Sequence, residues 1–169
     1  MIIKSVRVSS AASQIRFRNH LFRGAENDAV TLVRGNEADI SDLFADARRH
    51  GSKFAVRHWI VAPSEMTTRQ QACRVVDLLA KEFGFDAKAA IIIEHTKQRA
   101  APDAFNQHWH VSVGERNAAT ERVLSSSHDH LRHEFIARCA EIEFAHTILP
   151  GPHTRSVAAF LSPTDTCQC

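Results

Sequence analysis

Gln107-His108-Trp109-His110-Val111-Ser112-Val113 is the stretch that decides how this chain folds. Its alternating character predicts a β-strand, in which residues two apart face the same side of the sheet. His108 and His110 therefore project side by side. Just upstream, Ala89-Ala90-Ile91-Ile92-Ile93-Glu94-His95 is an apolar run that predicts another strand. If the two strands pair, His95 joins the other two imidazoles, and the three form a metal site with coordination positions left open for catalysis.

Outside this pair of strands, apolar periodicity predicts alternating helices and strands. The last two strands are joined by a loop too short for a crossover helix, so they should pair antiparallel. This order predicts an α+β fold, a central, mainly antiparallel sheet with helices packed on it. Residues 1–153 are expected to form one domain and 154–169, rich in Pro, Ser and Thr, a loose C-terminal tail, with docking of 157–161 on the domain as the alternative. The predicted helices span 11–22, 39–50, 67–83 and 130–145, and the predicted strands span 2–8, 29–33, 54–61, 89–95 and 107–113.

Composition excludes several classes of protein. The 169 residues carry a formal charge of only +2, so the chain is not polybasic, and no apolar stretch approaches the roughly 18 residues of a membrane span. The N-terminus lacks the apolar core of a signal peptide, and the four cysteines show no disulfide-framework spacing, so we expect a cytoplasmic protein without a membrane partner. Arginines nevertheless crowd the first third of the chain. Arg16, Arg18 and Arg23 suit contacts with phosphates, and a solvated helix face is the alternative.

Five segments follow one another along the chain: 19–27, 57–67, 79–85, the three histidines His95, His108 and His110, and 123–146. In this order they resemble the relaxase domain of plasmid mobilisation proteins of the MobA-like kind, which belong to the HUH class of single-strand DNA endonucleases. The resemblance covers roughly residues 11–150. It implies an HUH relaxase-like fold, an enzyme that nicks and joins single-stranded DNA at a specific site in a plasmid transfer origin, and other mobilisation proteins as candidate partners.

The resemblance also implies a divalent metal, Mn²⁺ or Mg²⁺, on the three histidines. Imidazole ligands alone favour borderline metals, so Zn²⁺ stays open as an alternative. The loop between His95 and His108 is about six residues longer than the family's usual spacing, through 100–105, which a hairpin loop can absorb.

One departure concerns the attacking group. The family's first motif normally carries a tyrosine, but the chain contains no tyrosine at all against ten phenylalanines, and His20 stands at the corresponding position. A neutral imidazole is a competent nucleophile, so His20 is the candidate catalytic residue and would form a phosphoramidate. Its alternative role is packing at a helix end. Two other functions stay open: a non-catalytic relaxase-like protein that binds single-stranded DNA or assists mobilisation, and a metal-dependent hydrolase that uses a bound water.

Other polar residues receive weaker assignments. His58 either supports the metal site or fills the core, and the core is favoured, as it is for Trp109. Glu94 points away from His95 in a regular strand. Glu65 and Glu115 can orient a histidine, although nothing in the sequence fixes either. His128, His130 and His133 form a second cluster, which is expected to be a solvated or DNA-facing helix start rather than a second metal site.

Overall fold

Helices and strands alternate along most of the chain, as predicted. The computed structural model describes residues 1–24, 27–97 and 105–161. Within these residues the strands are β1 (Ile2–Ser9), β2 (Ala29–Arg34), β3 (Phe54–Ala62), β4 (Ile91–Thr96) and β5 (Gln107–Gly114). The helices are α1 (Gln14–Arg23), α2 (Glu37–Arg49), α3 (Arg69–Phe83), α4 (Asp129–Glu143) and α5 (Thr154–Phe160), and a 3₁₀ turn spans Ala87–Ala89. Most of the long predicted loop before β5 lies outside the described residues.

The five strands form one sheet in the order β1-β3-β5-β4-β2, and every pairing is antiparallel. The predicted α+β fold with a mainly antiparallel sheet is therefore confirmed. β5 lies at the centre, between β3 and β4. Its register sets His108 directly opposite His95 on β4 and Ser112 directly opposite His58 on β3. The consecutive strands β4 and β5, together with the more distant β3, thus bring polar side chains to one face of the sheet.

Each face of the sheet has its own apolar core. On the face that carries the histidines, Leu21 of α1 and Ile40 and Phe44 of α2 pack with Val56 and Ile93 of the sheet. On the opposite face, α3 and α4 pack over a larger core that includes Trp59 and Trp109, both essentially inaccessible to solvent. The burial of Trp109 confirms its assignment to the core. Each large apolar side chain buried in this way contributes about 1.5–3 kcal/mol.

Capping residues account for where the helices begin and end. Asn36 caps α2 and exchanges hydrogen bonds with Asp39, so this helix begins two residues earlier than its apolar periodicity predicts. Thr68 caps α3 through the same reciprocal arrangement with Gln71. Gly84 ends α3 in the left-handed conformation, with φ of 74°, which glycine adopts without steric cost.

The C-terminal segment contains more regular structure than its composition indicated. Residues 154–160 form α5, which contacts α4, and Val157 is buried. Apolar periodicity does not predict so short a helix, because a single buried residue, here Val157, is sufficient to hold it against α4. Residues 162–169 lie outside the described residues.

Candidate active site

The structure brings the three predicted ligands together on one face of β4 and β5. The ring centroid of His95 lies 4.2 Å from that of His110 and 5.2 Å from that of His108, and His108 and His110 are 4.9 Å apart. One ring nitrogen from each residue lies within 4.8 Å of the others. Strand geometry alone produces this convergence, because His95 and His108 are cross-strand partners and His110 follows two residues later.

Hydrogen bonds orient the ring of His95. Its Nε2 atom lies 2.7 Å from the backbone carbonyl oxygen of Leu21. A carbonyl only accepts, so Nε2 carries the proton and Nδ1 bears the lone pair. The side-chain amide nitrogen of Asn27, 3.2 Å away, donates to that Nδ1. A ring N–H donated to a backbone carbonyl is the arrangement that commonly orients metal-binding histidines.

His110 is held by a different neighbour. Its Nδ1 atom lies 3.0 Å from Nε2 of His58, and Nδ1 of His58 lies 2.9 Å from the hydroxyl oxygen of Ser112. The other ring nitrogen of His110, Nε2, is buried and has no hydrogen-bond partner among the described residues. His58 is buried as predicted, but the interpretation of it as core alone misses this contact.

The electrostatics favour neutral imidazoles. Burial, followed by the proximity of His20 and His95, lowers the pKa of His58 to about 3. Burial and the neighbouring histidines also lower the pKa of His110 far below its usual range. Metal binding requires the neutral form of histidine, and Nε2 of His110 is buried without a hydrogen-bond partner among the described residues. The three side chains therefore fit a divalent ion on the chemistry of their donor set.

His20 lies beside this cluster. Helix α1 begins after Ser13, whose hydroxyl caps the helix, and fully buried Leu21 fixes it to the core. The next residue toward the N-terminus, His20, is exposed on the last turn. Its ring packs edge-on, 5.5 Å from the ring of His110 and 6.5 Å from that of His95. The structure therefore juxtaposes an accessible imidazole and a buried group of metal-competent ones.

The three predicted DNA-binding arginines differ in their surroundings. Arg16 and Arg23 are exposed and lie on the same face of α1 as His20, at spacings of four and three residues. Arg18 and Arg23 both pair with Glu37 of α2, at 3.6 and 3.3 Å. A polyanion that contacts either of these two guanidiniums has to compete with that carboxylate.

The remaining acidic candidates have other partners. Glu94 pairs with Arg69 and accepts from Gln107, away from the metal-competent face. The carboxylate of Glu65 accepts from the backbone of Thr147. Buried Glu115 binds Arg57 on the opposite face of the sheet. None of these three interactions involves a histidine of the cluster.

The second histidine cluster separates into two environments. His128 and His130 are exposed at the start of α4, as predicted. The prediction of a solvated position is wrong for His133, which is buried and accepts a hydrogen bond from the indole Nε1 of Trp59 at 3.0 Å. Among the described residues, only His95, His108 and His110 form a group of three whose ligand atoms meet. His133 faces the core because it follows the apolar stripe of its helix.

Two supporting residues had no assigned role in the sequence interpretation. Ser112 lies two residues after His110, so the same strand period that pairs the histidines places it on their face. Asn27 belongs to a segment that resembles the first relaxase motif, but nothing in the sequence links its amide to His95, which is 68 positions away.

Comparisons with known proteins give one finding. A family model described as the nuclease domain of MobA/VirD2-like relaxases matches residues 23–147. This span contains His58 and all three metal-competent histidines, whereas His20 precedes it. No match is found among curated proteins or solved structures. No helix among the described residues combines the length and the apolar character needed to cross a bilayer.

Proposed function

The chain belongs to the MobA/VirD2-like family of relaxase nuclease domains, and on this basis we propose that it nicks and rejoins single-stranded DNA at a specific site in a plasmid transfer origin. His20 is the proposed nucleophile. The observation that carries the proposal is the position of its exposed ring, 5.5 Å from the ring of His110, in a chain that contains no tyrosine. Other mobilisation proteins as partners and a cytoplasmic location stay predictions.

His95, His108 and His110 are the proposed ligands of a divalent ion. When bound, the ion supplies Lewis-acid stabilisation of phosphate charge and a fixed orientation for that phosphate. Mn²⁺ or Mg²⁺ is proposed, and Zn²⁺ is the alternative that an all-imidazole donor set favours. The carbonyl of Leu21 and the ring of His58 orient two of the three imidazoles, which limits the rearrangement that binding requires.

The nicking step is an in-line displacement at phosphorus. A ring nitrogen of His20 attacks with its lone pair, the P–N bond forms and the bond from phosphorus to the 3′ oxygen breaks. The ring loses its N–H proton and the departing oxygen gains one, so the products are a phosphoramidate on the 5′ phosphate of the downstream fragment and a free 3′ hydroxyl on the upstream fragment. Rejoining is the reverse reaction. Arg16 and Arg23, which flank His20 on α1, are proposed to contact neighbouring phosphates and bring the reacting atoms to about 3–3.5 Å.

A covalent-capture experiment tests this proposal. The protein is incubated with Mn²⁺ and labelled single-stranded oligonucleotides that cover a candidate transfer origin, then resolved on a denaturing gel. We expect an adduct that needs the metal, disappears with EDTA and is lost in mild acid, because phosphoramidates are acid-labile whereas phosphotyrosine esters are not. His20→Ala should abolish the adduct. The matched control is His50→Ala, which removes an exposed histidine at the far end of α2.

The other outcomes each select a competing function. Cleaved products without an adduct would indicate attack by water and a hydrolase. Binding of the oligonucleotide without cleavage would indicate an accessory DNA-binding protein. Adduct formation that persists in His20→Ala would assign the attack to another side chain.

A further inference from the structure

A buried hydrogen-bond chain runs from Ser112 through His58 to His110. The two links measure 2.9 and 3.0 Å, and all three residues are at most 5% exposed. The strand register fixes both links: Ser112 is the cross-strand partner of His58, and His110 lies two residues from Ser112 on the same face of β5. The ring of Phe17 packs perpendicular to that of His58, with 5.3 Å between the two ring centroids.

Only two proton arrangements satisfy this chain, because each neutral imidazole has one donor and one acceptor nitrogen. In the first, Nδ1–H of His110 donates to Nε2 of His58, and Nδ1–H of His58 donates to the Ser112 hydroxyl oxygen. In the second, every bond is reversed: the Ser112 hydroxyl donates to His58, and His58 donates to Nδ1 of His110. The second arrangement forces the proton of His110 onto Nε2.

The environment of Nε2 distinguishes the two arrangements. This atom is buried and has no partner among the described residues. A protonated Nε2 would leave a buried donor unsatisfied, whereas an unprotonated Nε2 leaves a lone pair that can bind a cation. An ion bound there satisfies the lone pair and repels the proton. The first arrangement therefore suits a metal ligand, and the second excludes one.

We propose that His58, oriented by Ser112, is a positioning residue that holds His110 in the tautomer with its lone pair on Nε2, ready to bind a divalent cation. The inference rests on the metal site of the proposed function. In this proposal His58 does not touch the cation or DNA. It acts by accepting, at Nε2, the hydrogen bond that Nδ1–H of His110 donates. The sequence interpretation left support of the metal site open for His58 but favoured a position in the core.

Metal affinity measured on the whole chain tests the proposal without any cleavage assay. Mn²⁺ titrations by calorimetry compare the wild type with two variants. His58→Leu fills similar space but accepts no hydrogen bond. In His58→Gln the amide oxygen can accept the hydrogen bond from His110 while the NH₂ group donates to Ser112. We expect His58→Leu to weaken Mn²⁺ binding by about 10- to 100-fold, the usual effect of losing a group that orients a metal ligand. His58→Gln should bind more tightly than His58→Leu. Equal Mn²⁺ affinity in folded wild type and His58→Leu overturns the proposal.

The ¹⁵N chemical shifts of the ring nitrogens give a second readout, which a merely structural role would not move. In the metal-free wild type, His110 should show a protonated Nδ1 and an unprotonated Nε2, and Ser112→Ala should mix the two tautomers. A wild-type His110 protonated on Nε2 overturns the proposal even if His58→Leu fails to fold. A protein that shows the expected tautomer and His58-dependent Mn²⁺ binding but forms no DNA adduct refutes the proposed nuclease and supports this inference.

Discussion

Replacing Arg57 with methionine should destabilise the protein by stranding a buried carboxylate. Arg57 is fully buried on the face of β3 opposite His58, and its Nε and Nη2 atoms each donate to one oxygen of Glu115 at 2.9 Å. Nη2 also donates to the carbonyl of Leu124 at 3.1 Å. Glu115 is itself 2% exposed. Loss of the guanidinium therefore leaves the carboxylate of Glu115 and the backbone carbonyl of Leu124 without their main hydrogen-bond donor.

The magnitude follows from what is left behind. Removing one partner of a buried ion pair costs about 3–5 kcal/mol. Arg7, whose Nε lies 2.7 Å from Glu115 but whose side chain is 32% exposed, still compensates part of the charge. We therefore expect the free energy of unfolding to fall by about 3 kcal/mol, the lower limit of this range. For a chain of this length that corresponds to a decrease in Tm of about 6–12 °C.

Urea and thermal unfolding measure this loss, and two further variants test its cause. Arg69→Met applies the same substitution to a pair in which the arginine is 61% exposed, and should cost less than about 1 kcal/mol. The double variant Arg57→Met/Glu115→Leu removes the stranded charge and should recover much of the loss. If the double variant is less stable than Arg57→Met alone, the destabilisation does not come from an unpaired Glu115, and the reasoning is refuted.

Three further predictions concern acid stability, backbone conformation and DNA binding. Burial lowers the pKa of His133 to about 4, against about 6.5 when unfolded, so the unfolded chain binds the extra proton between these values. The stability contributed by neutral His133 is present above about pH 6.5, and about 3 kcal/mol is lost as the pH falls to 4. His133→Gln, which keeps an acceptor for Trp59, should flatten that decline in urea titrations between pH 4 and 7, and an unchanged slope would contradict the assignment. Gly84→Ala should lower the free energy of unfolding in urea by about 1–2 kcal/mol, because an alanine at φ of 74° is strained. No atom lies within 4 Å of the added Cβ, so the cost comes from the backbone conformation and not from a clash. An unchanged free energy of unfolding would show that the helix end adapts. Arg16→Gln should reduce the log–log salt slope of single-strand binding by about 0.7 if it contacts one phosphate, and an unaltered slope would remove Arg16 from the interface.

The sequence predicted the fold and the histidine cluster well because both depend on local periodicity. Alternation in β5 places His108 and His110 on one face, and the antiparallel pairing with β4 follows from the short connection. The same period assigned Glu94 correctly to the other face, where it pairs with Arg69. These features can be predicted from the pattern of one strand and the length of the loop to the next.

What the sequence did not predict depends on which distant atoms meet. The carbonyl of Leu21 carries no side-chain signal, yet it fixes the proton of His95 across 74 positions. The bond between His58 and His110 depends on the β3–β5 register, which no motif encodes. His133 was misassigned because it lies on the same turn as two exposed histidines, and only its contact with Trp59 distinguishes it from them.

The burial of the five neighbouring imidazoles agrees with separate roles for them. His58, His95 and His110 are at most 5% exposed, and His108 is partly buried. A group that must attack a phosphorus atom in DNA has to be accessible, whereas a metal ligand gains from a rigid, dry environment. Of the five, only His20 is exposed, and it belongs to a helix rather than to the sheet. If the chain attacks DNA through a histidine, its accessibility makes His20 the group that can reach the phosphate while the sheet histidines stay in place.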